Sequence, residues 1–400
     1  MLKNKLREGQ TLRRVYVDYA ATTPLDPRVF EAVKPYFITV YGNASSIHSF
    51  GAEARQAVEA SRKTIAELMN AEPNDLIFTG SATEANNMTL KGFAFRKREE
   101  KTHIAISSIE HDNVLNPAKW LEKRSVKITY LPVDQYGLIK QEELEKPLKK
   151  GISLVSVIHG NNEIGTVQQI KQIGKLCHNY GAYFHTDAAQ SFGKIPIDVK
   201  DMNIDFMTVN AHKLYGPKGV GALYIKKGLK IDPLLHGGGH EFGLRSSTEN
   251  VSGIAGFAKA VELRKQEMEP EAQRLTQMRD RLIKGVLEID ETYLNGHPTQ
   301  RLPNNANFRF NYIEGESLTL LLSDEGIAAS SGSACSSGAG TPSHVLLAIG
   351  LKPQEIHGSL RISLGKYNTE EDIDYILEVL PKTVKKLREM PPVKAIKSFN

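Results

Sequence analysis

Seven apolar, β-branched runs recur along the first half of the chain: VYVDYA, LIFTGS, HIAISS, VKITYLPV, ISLVSVIHG, AYFHTDAA and FMTVNA. Stretches with helical spacing separate most of them, among them SATEANNMTLKGFAFRK, the segment from Asp112 to Lys123, and IKQIGKLCHNYG with its terminal Gly181. A strand that is apolar on nearly every residue must be covered on both faces, as parallel sheets with crossover helices are. The pattern therefore predicts an α/β fold built on a mainly parallel sheet. Such sheets collect ligands beyond the carboxyl ends of their strands. Asp187, Asn162 and the segment around Thr83 all fall at such ends.

After about residue 260 the texture changes. A helix is expected from Glu271 to Ile289, with Leu275, Met278, Leu282 and Val286 three or four residues apart. A strand (NANFRFNY), a helix (ESLTLLLSDEG), a short strand, a strand (SLRISLGKY) and a final helix follow. The final helix opens at Thr369 with Asp372 three residues on, like a capping box. The expected division is a large α/β domain over residues 15–260. A smaller α+β domain covers 261–400, joined by residues 1–14 and carrying the loop of Cys335.

Composition excludes several classes. The chain of 400 residues is 40% hydrophobic and 24% charged, ordinary for a globular protein. Its net charge of +5 is spread without a dense basic block, so direct nucleic-acid binding is not expected. No apolar stretch is long enough to cross a bilayer, and the basic start MLKNKLREGQTLRRV lacks the apolar core of a signal peptide. Cys177 and Cys335 offer no disulfide framework, which suits a reducing compartment and predicts a cytoplasmic protein.

The residues that could carry chemistry converge on one cofactor. Asp187 ends an apolar run, and His212-Lys213 follows the next one. A carboxylate that holds a pyridinium proton and a lysine that forms a Schiff base are the two groups pyridoxal 5'-phosphate (PLP) requires of its protein. Gly80-Ser81-Ala82-Thr83-Glu84 follows a strand and opens a helix, a seat for phosphate or simply an ordinary helix cap. Gln190 could bond the ring's phenolic oxygen, and His111, between a strand and a helix, could stack on the ring and carry protons. Asn162 is a side-chain amide at a strand end or a turn residue. Arg361 offers a planar fork to a substrate carboxylate. His236 and His240 are four apart, but the three glycines between them oppose the helix that would align them on a metal, so none is expected. Cys177 lies on an apolar helix face and reads as an inert thiol. Cys335 sits among Ala, Ser, Gly and Thr only, either a linker or a loop able to bring a thiol to a site and take it away.

Taken together, these residues resemble the group I cysteine desulfurases of the class V aminotransferase fold, from about Val15 to Met390. The resemblance rests on VDYAATTPLDPRV, YGNASSIHSFG, TGSATEANN, EHDNVL, HGNNEIGTVQ, HTDAAQSFGKIPIDV, AHKLYGPKGVGALY, HGGGHE, SSGSACSSG and LRISLGKYNTEEDID. It implies that Lys213 carries the PLP, Asp187 pairs with its ring nitrogen, Gln190 with its ring oxygen, and His111 stacks on it. Thr83, Ala82, His212 and Asn210 would meet the phosphate, with Thr248 reaching it from the other subunit of a homodimer. Arg361 and Asn162 would hold the carboxylate of L-cysteine, and Cys335 would take its sulfur as a persulfide and release L-alanine.

The acceptor would be an iron–sulfur scaffold or a thiolation enzyme. Selenocysteine lyase, another PLP enzyme of this fold and a catalytically idle docking protein are the alternatives. The sequence departs from the family pattern at Asn210, where serine is usual, at Ala44, where proline is usual, and at Phe242 and Ser247. It also ends soon after Met390, where bacterial housekeeping relatives carry a longer tail that helps dock the scaffold.

Overall fold

The structure is a computed structural model of the chain and describes residues 13–96, 102–331 and 342–390. Its strands are β1 (Val15–Tyr16), β2 (Leu76–Thr79), β3 (His103–Ser107), β4 (Lys127–Leu131), β5 (Leu154–Ser156) and β6 (Tyr183–Asp187). There follow β7 (Phe206–Asn210), β8 (Gly221–Ile225), β9 (Thr292–Asn295), β10 (Asn305–Phe310), β11 (Ile327–Ala328) and β12 (Ser359–Ser363). Seven of them form a sheet of order β2-β8-β7-β6-β5-β3-β4. Only β8 runs against its neighbours, pairing antiparallel with β2 and β7, while the remaining pairs are parallel. The α/β class and the mainly parallel sheet are as expected. Because β2 and β7 both oppose β8, the carboxyl ends of β2, β7, β6, β5 and β3 lie along one edge of the sheet.

Core residues explain the two-sided covering. On one face Val155, Phe184, Met207, Val209 and Phe257 are packed together. On the other Phe93, Ile104, Ile106, Leu154 and Leu223 do the same. The helix Ile170–Asn179 stops where expected, with Gly181 in the left-handed region at φ 72°.

A second core surrounds the antiparallel sheet β12-β10-β9, where Phe308, Phe310, Leu360 and Ile362 meet Leu275, Leu282 and Leu380. The final helix, Glu370–Glu389, begins with the expected capping box of Thr369 and Asp372. Two expectations shift. The helix expected from Glu271 is the second half of Val251–Val286, which holds Pro270 in its interior. In sequence, that proline reads as a first-turn residue. The run VYVDYA leaves the large sheet: β1 pairs with β11, and Val15 and Val17 are buried in the second core. The long helix contributes Ile254, Phe257 and Val261 to the first core and Leu275, Met278 and Leu282 to the second.

A buried ion pair fixes the segment from His236 to Gly243 against β2. Arg62, on the helix Ser49–Leu68, donates to both oxygens of Glu241 at 2.8 Å and to the Leu76 carbonyl at 2.7 Å. Glu241 also accepts the Phe78 N–H at 2.7 Å, and the guanidinium lies between the rings of Phe78 and Phe242. Glu241 and Phe242 both take left-handed backbone (φ 49° and 59°), a cost the pair must offset. Glu59 also pairs with Arg62 from the exposed side, but without Glu241 the buried side of the guanidinium keeps only the Leu76 carbonyl. Glu241→Ala is therefore expected to lower stability by about 3–5 kcal/mol in equilibrium urea unfolding, and a loss under about 1 kcal/mol would contradict this account.

Candidate active site

A cavity of about 680 Å³ opens at the carboxyl ends of the strands. Ten of the residues singled out in the sequence line it: Ala82, Thr83, His111, Asn162, Asp187, Gln190, Asn210, His212, Lys213 and Arg361. They come from segments spread over nearly 280 positions (361 minus 82), so topology rather than proximity in sequence assembles them. Thr248 is exposed and does not line the cavity of its own chain. Cys335 lies outside the described residues.

Asp187 closes β6 and is buried. Its carboxylate accepts from Asn86 Nδ2 at 2.7 Å and from the Ala189 N–H at 2.9 Å. Burial pushes its pKa up, and the Ala189 amide, His111, Asn86 and Lys213 only partly offset it. A protonated ring nitrogen would supply a direct positive partner. Asn86 also donates to Asn113 Oδ1 at 2.8 Å, and the Asn113 N–H donates to His111 Nδ1 at 3.1 Å, so a chain of amides holds His111 as the cap of the helix Asp112–Glu122.

Lys213 is held by a segment that the sequence reading left without a role, Asp18 to Asp26. Its amine donates to the carbonyls of Ala20 and of Ala21, the latter at 2.6 Å. Thr23 accepts the Tyr215 N–H at 2.9 Å and donates to the His212 carbonyl at 2.9 Å, while the Asp26 N–H donates to the Tyr215 carbonyl. Tyr215 itself is left-handed at φ 65°. Asn210 closes β7 and accepts the Lys213 N–H at 3.2 Å, a short side-chain turn that orients the lysine. His212 lies 3.2 Å from the Thr22 hydroxyl, and burial drops it to about 4. It would meet a phosphate as a neutral ring.

The anion seat is at the start of the helix Ala82–Arg96. Ser81 accepts the Glu84 N–H at 3.1 Å and its carbonyl takes the Ala85 N–H, while the N–H groups of Ala82 and Thr83 have no partner among the described residues. Free amides at a helix start suit a phosphate. Arg361 on β12 donates to the Asn162 carbonyl at 2.9 Å and to Asp18 at 2.8 Å. Its Nε is buried without a partner among the described residues, as a donor awaiting an anion would be. One buried acid, Glu163, lines the cavity, and a second, Glu110, is buried behind the lining. Glu163 accepts from Ser343 at 2.6 Å, and burial raises it. Glu110, next to His111, accepts from Ser107 and the Ile158 N–H at 2.5 and 2.6 Å. The donor set thus fits PLP and an amino acid. Asn86, Asn113, Thr22 and Glu110 escaped sequence reasoning, because polar residues inside helices and turns look the same whether or not they face a site.

The chain belongs to the class V aminotransferase family, whose model matches residues 15–376. The resemblance read from the motifs is borne out. A protein of Methanosarcina thermophila named cysteine desulfurase IscS is 51% identical over 95% of this chain and 94% of its own length. Cysteine desulfurase IscS 1 of Archaeoglobus fulgidus is 50% identical over 94% of this chain and 99% of its own. A solved structure described as a NifS-like protein superposes with TM-score 0.88 at 38% identity, over 94% of this chain and 100% of that one.

Glu110 gives a test of the buried wall. Burial lifts its pKa to about 8, against 4.5 in an open chain. Between those values the folded protein holds a proton that the unfolded chain releases, so this acid's contribution to stability falls as pH rises. Relative to Glu110→Gln, the unmodified protein is expected to lose up to about 1.4 kcal/mol per pH unit between about pH 5 and 8 in urea unfolding. A difference independent of pH would contradict the burial argument.

Proposed function

We propose that the protein is a PLP-dependent cysteine desulfurase, which converts L-cysteine to L-alanine and takes the sulfur on Cys335. The observation that carries this reading is the meeting of Lys213, Asp187 and Arg361 around one cavity. The ordered amides of Ala82 and Thr83 support the phosphate seat, and the naming of full-length relatives supports the reaction.

When bound, PLP supplies a sink for the electrons left at the substrate's Cα. Asp187 keeps the ring nitrogen protonated, so that the sink stays electron-poor. Arg361 and the Asn162 amide orient the substrate carboxylate. The Lys213 amine takes and returns the Cα proton, and His111 carries a proton between substrate and thiol. The Cys335 thiolate attacks the substrate sulfur: an S–S bond forms, the substrate C–S bond breaks, and its electron pair stays on carbon, to be protonated as alanine. No external oxidant is needed.

The same reading extends to assembly. Phe37, Ile38, Tyr41 and Ile47 form an exposed apolar run, with Ile47 99% exposed, which supports a homodimer covering it. In that dimer Thr248 would serve the partner's phosphate seat. Cys177 is buried and unpaired, in keeping with a cytoplasmic location. Among the described residues no helix is long and apolar enough to cross a membrane. The two cores support a division near residue 260, with the helix Val251–Val286 as their shared wall, but they give Val15 and Val17 to the smaller unit rather than the larger. The acceptor we propose is an iron–sulfur scaffold or a thiolation enzyme.

Cys335→Ala tests the reaction. The variant is expected to keep its cofactor and bind cysteine, while sulfide and alanine formation fall by at least about 100-fold. Cysteine turnover surviving that change would favour another activity of the same family.

A further inference from the structure

Behind Lys213 lies a second lysine that the mechanism above does not use. Lys194 is half-buried in the turn after Gln190, and both lysines line a small cavity of about 20 Å³. Its amine donates to Gln190 Oε1 at 3.3 Å. The other end of the same amide, Gln190 Nε2, donates to the Ala20 carbonyl at 2.8 Å, and that carbonyl also accepts from Lys213. The amide is thus caught between a group that can only donate and a group that can only accept. Its orientation is set at both ends, with one N–H left for whatever occupies the large cavity that Gln190 also lines.

We propose that Lys194 is a positioning residue for the reaction: it fixes the Gln190 amide with its nitrogen toward the cofactor and places a positive charge behind Lys213. The proposal rests on the reading of Lys213 as the cofactor-bearing lysine. Around Lys194 the other charged or titratable groups are Lys213 and His212 on the turn after β7, Arg264 and Glu271 on the long helix, Arg361 on β12, and the phenols Tyr19 and Tyr215. Three cations against one carboxylate make an added proton costly here. Burial first, then Lys213, bring Lys194 itself down to about 7.

Both effects act in one direction. A donor held on the ring's phenolic oxygen stabilises its anion, and a nearby cation disfavours a proton on the nitrogen that joins Lys213 to the ring. Removing Lys194 removes the charge and loosens the amide to its single remaining anchor at the Ala20 carbonyl, so that nitrogen should hold its proton to higher pH.

The experiment follows the visible absorption of the purified, cofactor-loaded protein as pH is varied. In Lys194→Met the midpoint of the spectral change is expected to rise by about one pH unit, and in Lys194→Arg, which keeps its charge at every pH, not to rise. Should the methionine variant fail to fold, Lys194→Gln, which keeps a donor but no charge, is expected to move the midpoint upward by a smaller amount. An unmoved midpoint in the neutral variants, or an equal rise in Lys194→Arg, overturns the proposal. Borohydride reduction that still fixes the cofactor to a lysine in Lys213→Ala would instead overturn the assignment of Lys213, so the two failures are distinguishable.

Discussion

The segment from Asp18 to Asp26 holds the site together. Asp18 grips Arg361 of the small sheet, and the Ala20 N–H donates to Ser363 Oγ on the same strand. Two residues along, the Ala20 and Ala21 carbonyls hold Lys213, and Thr22 and Thr23 brace the turn that carries it. One short stretch, opening with a turn in which the Ala21 N–H donates to the Asp18 carbonyl, therefore sets the distance between the amine at the end of β7 and the guanidinium on β12. These two groups belong to different hydrophobic cores, and neither core alone fixes that distance. Short charge-assisted hydrogen bonds are stiff enough to do so.

The second constraint is electrostatic. Carboxyls at Asp187, Glu110 and Glu163 are buried around the cavity with their pKa values raised, while His212 and Lys194 are pushed down. Burial drives every one of these shifts toward the neutral form. Such a wall is poised to accept charges brought by a ligand: a pyridinium at Asp187, a phosphate at the amides of Ala82 and Thr83, a carboxylate at Arg361. Charges that cost stability in the protein alone become partners when those groups arrive. Perturbed groups concentrated in one crevice mark functional sites for this reason.

Much of this was legible in the sequence, and the limits have physical causes. Strands buried on both faces announce themselves as apolar runs, so β2, β3, β5, β6 and β7 and the carboxyl-end placement of Asp187 could be read directly, while the edge strand β4, with Lys127 and Tyr130 exposed, showed only through its β-branched residues. β8 could not, because Gly219 before it and Gly221 at its start leave only a four-residue apolar run, and nothing local says that the chain returns antiparallel. Pro270 hid the first half of the long helix, since a proline inside one and a proline opening one look alike in sequence. Lys213, Asp187 and Arg361 stood out because charged groups beside apolar strands are costly. Asn86 acts through a hydrogen bond to Asp187, Thr22 through one to His212 and Lys194 through one to Gln190, and such bonds depend on spacing that only the folded chain defines. Reading Asn210 as a phosphate contact captured its position in the wall but not its bond to the Lys213 N–H.

Every role assigned around the cavity depends on Lys213 as the residue joined to the cofactor. Reducing the purified protein with sodium borohydride, digesting it and locating the phosphopyridoxyl group by peptide mass spectrometry tests that directly. The expected result is a single labelled peptide with the group on Lys213. A label on Lys194 or any other lysine, or no label on protein that contains PLP, would contradict it.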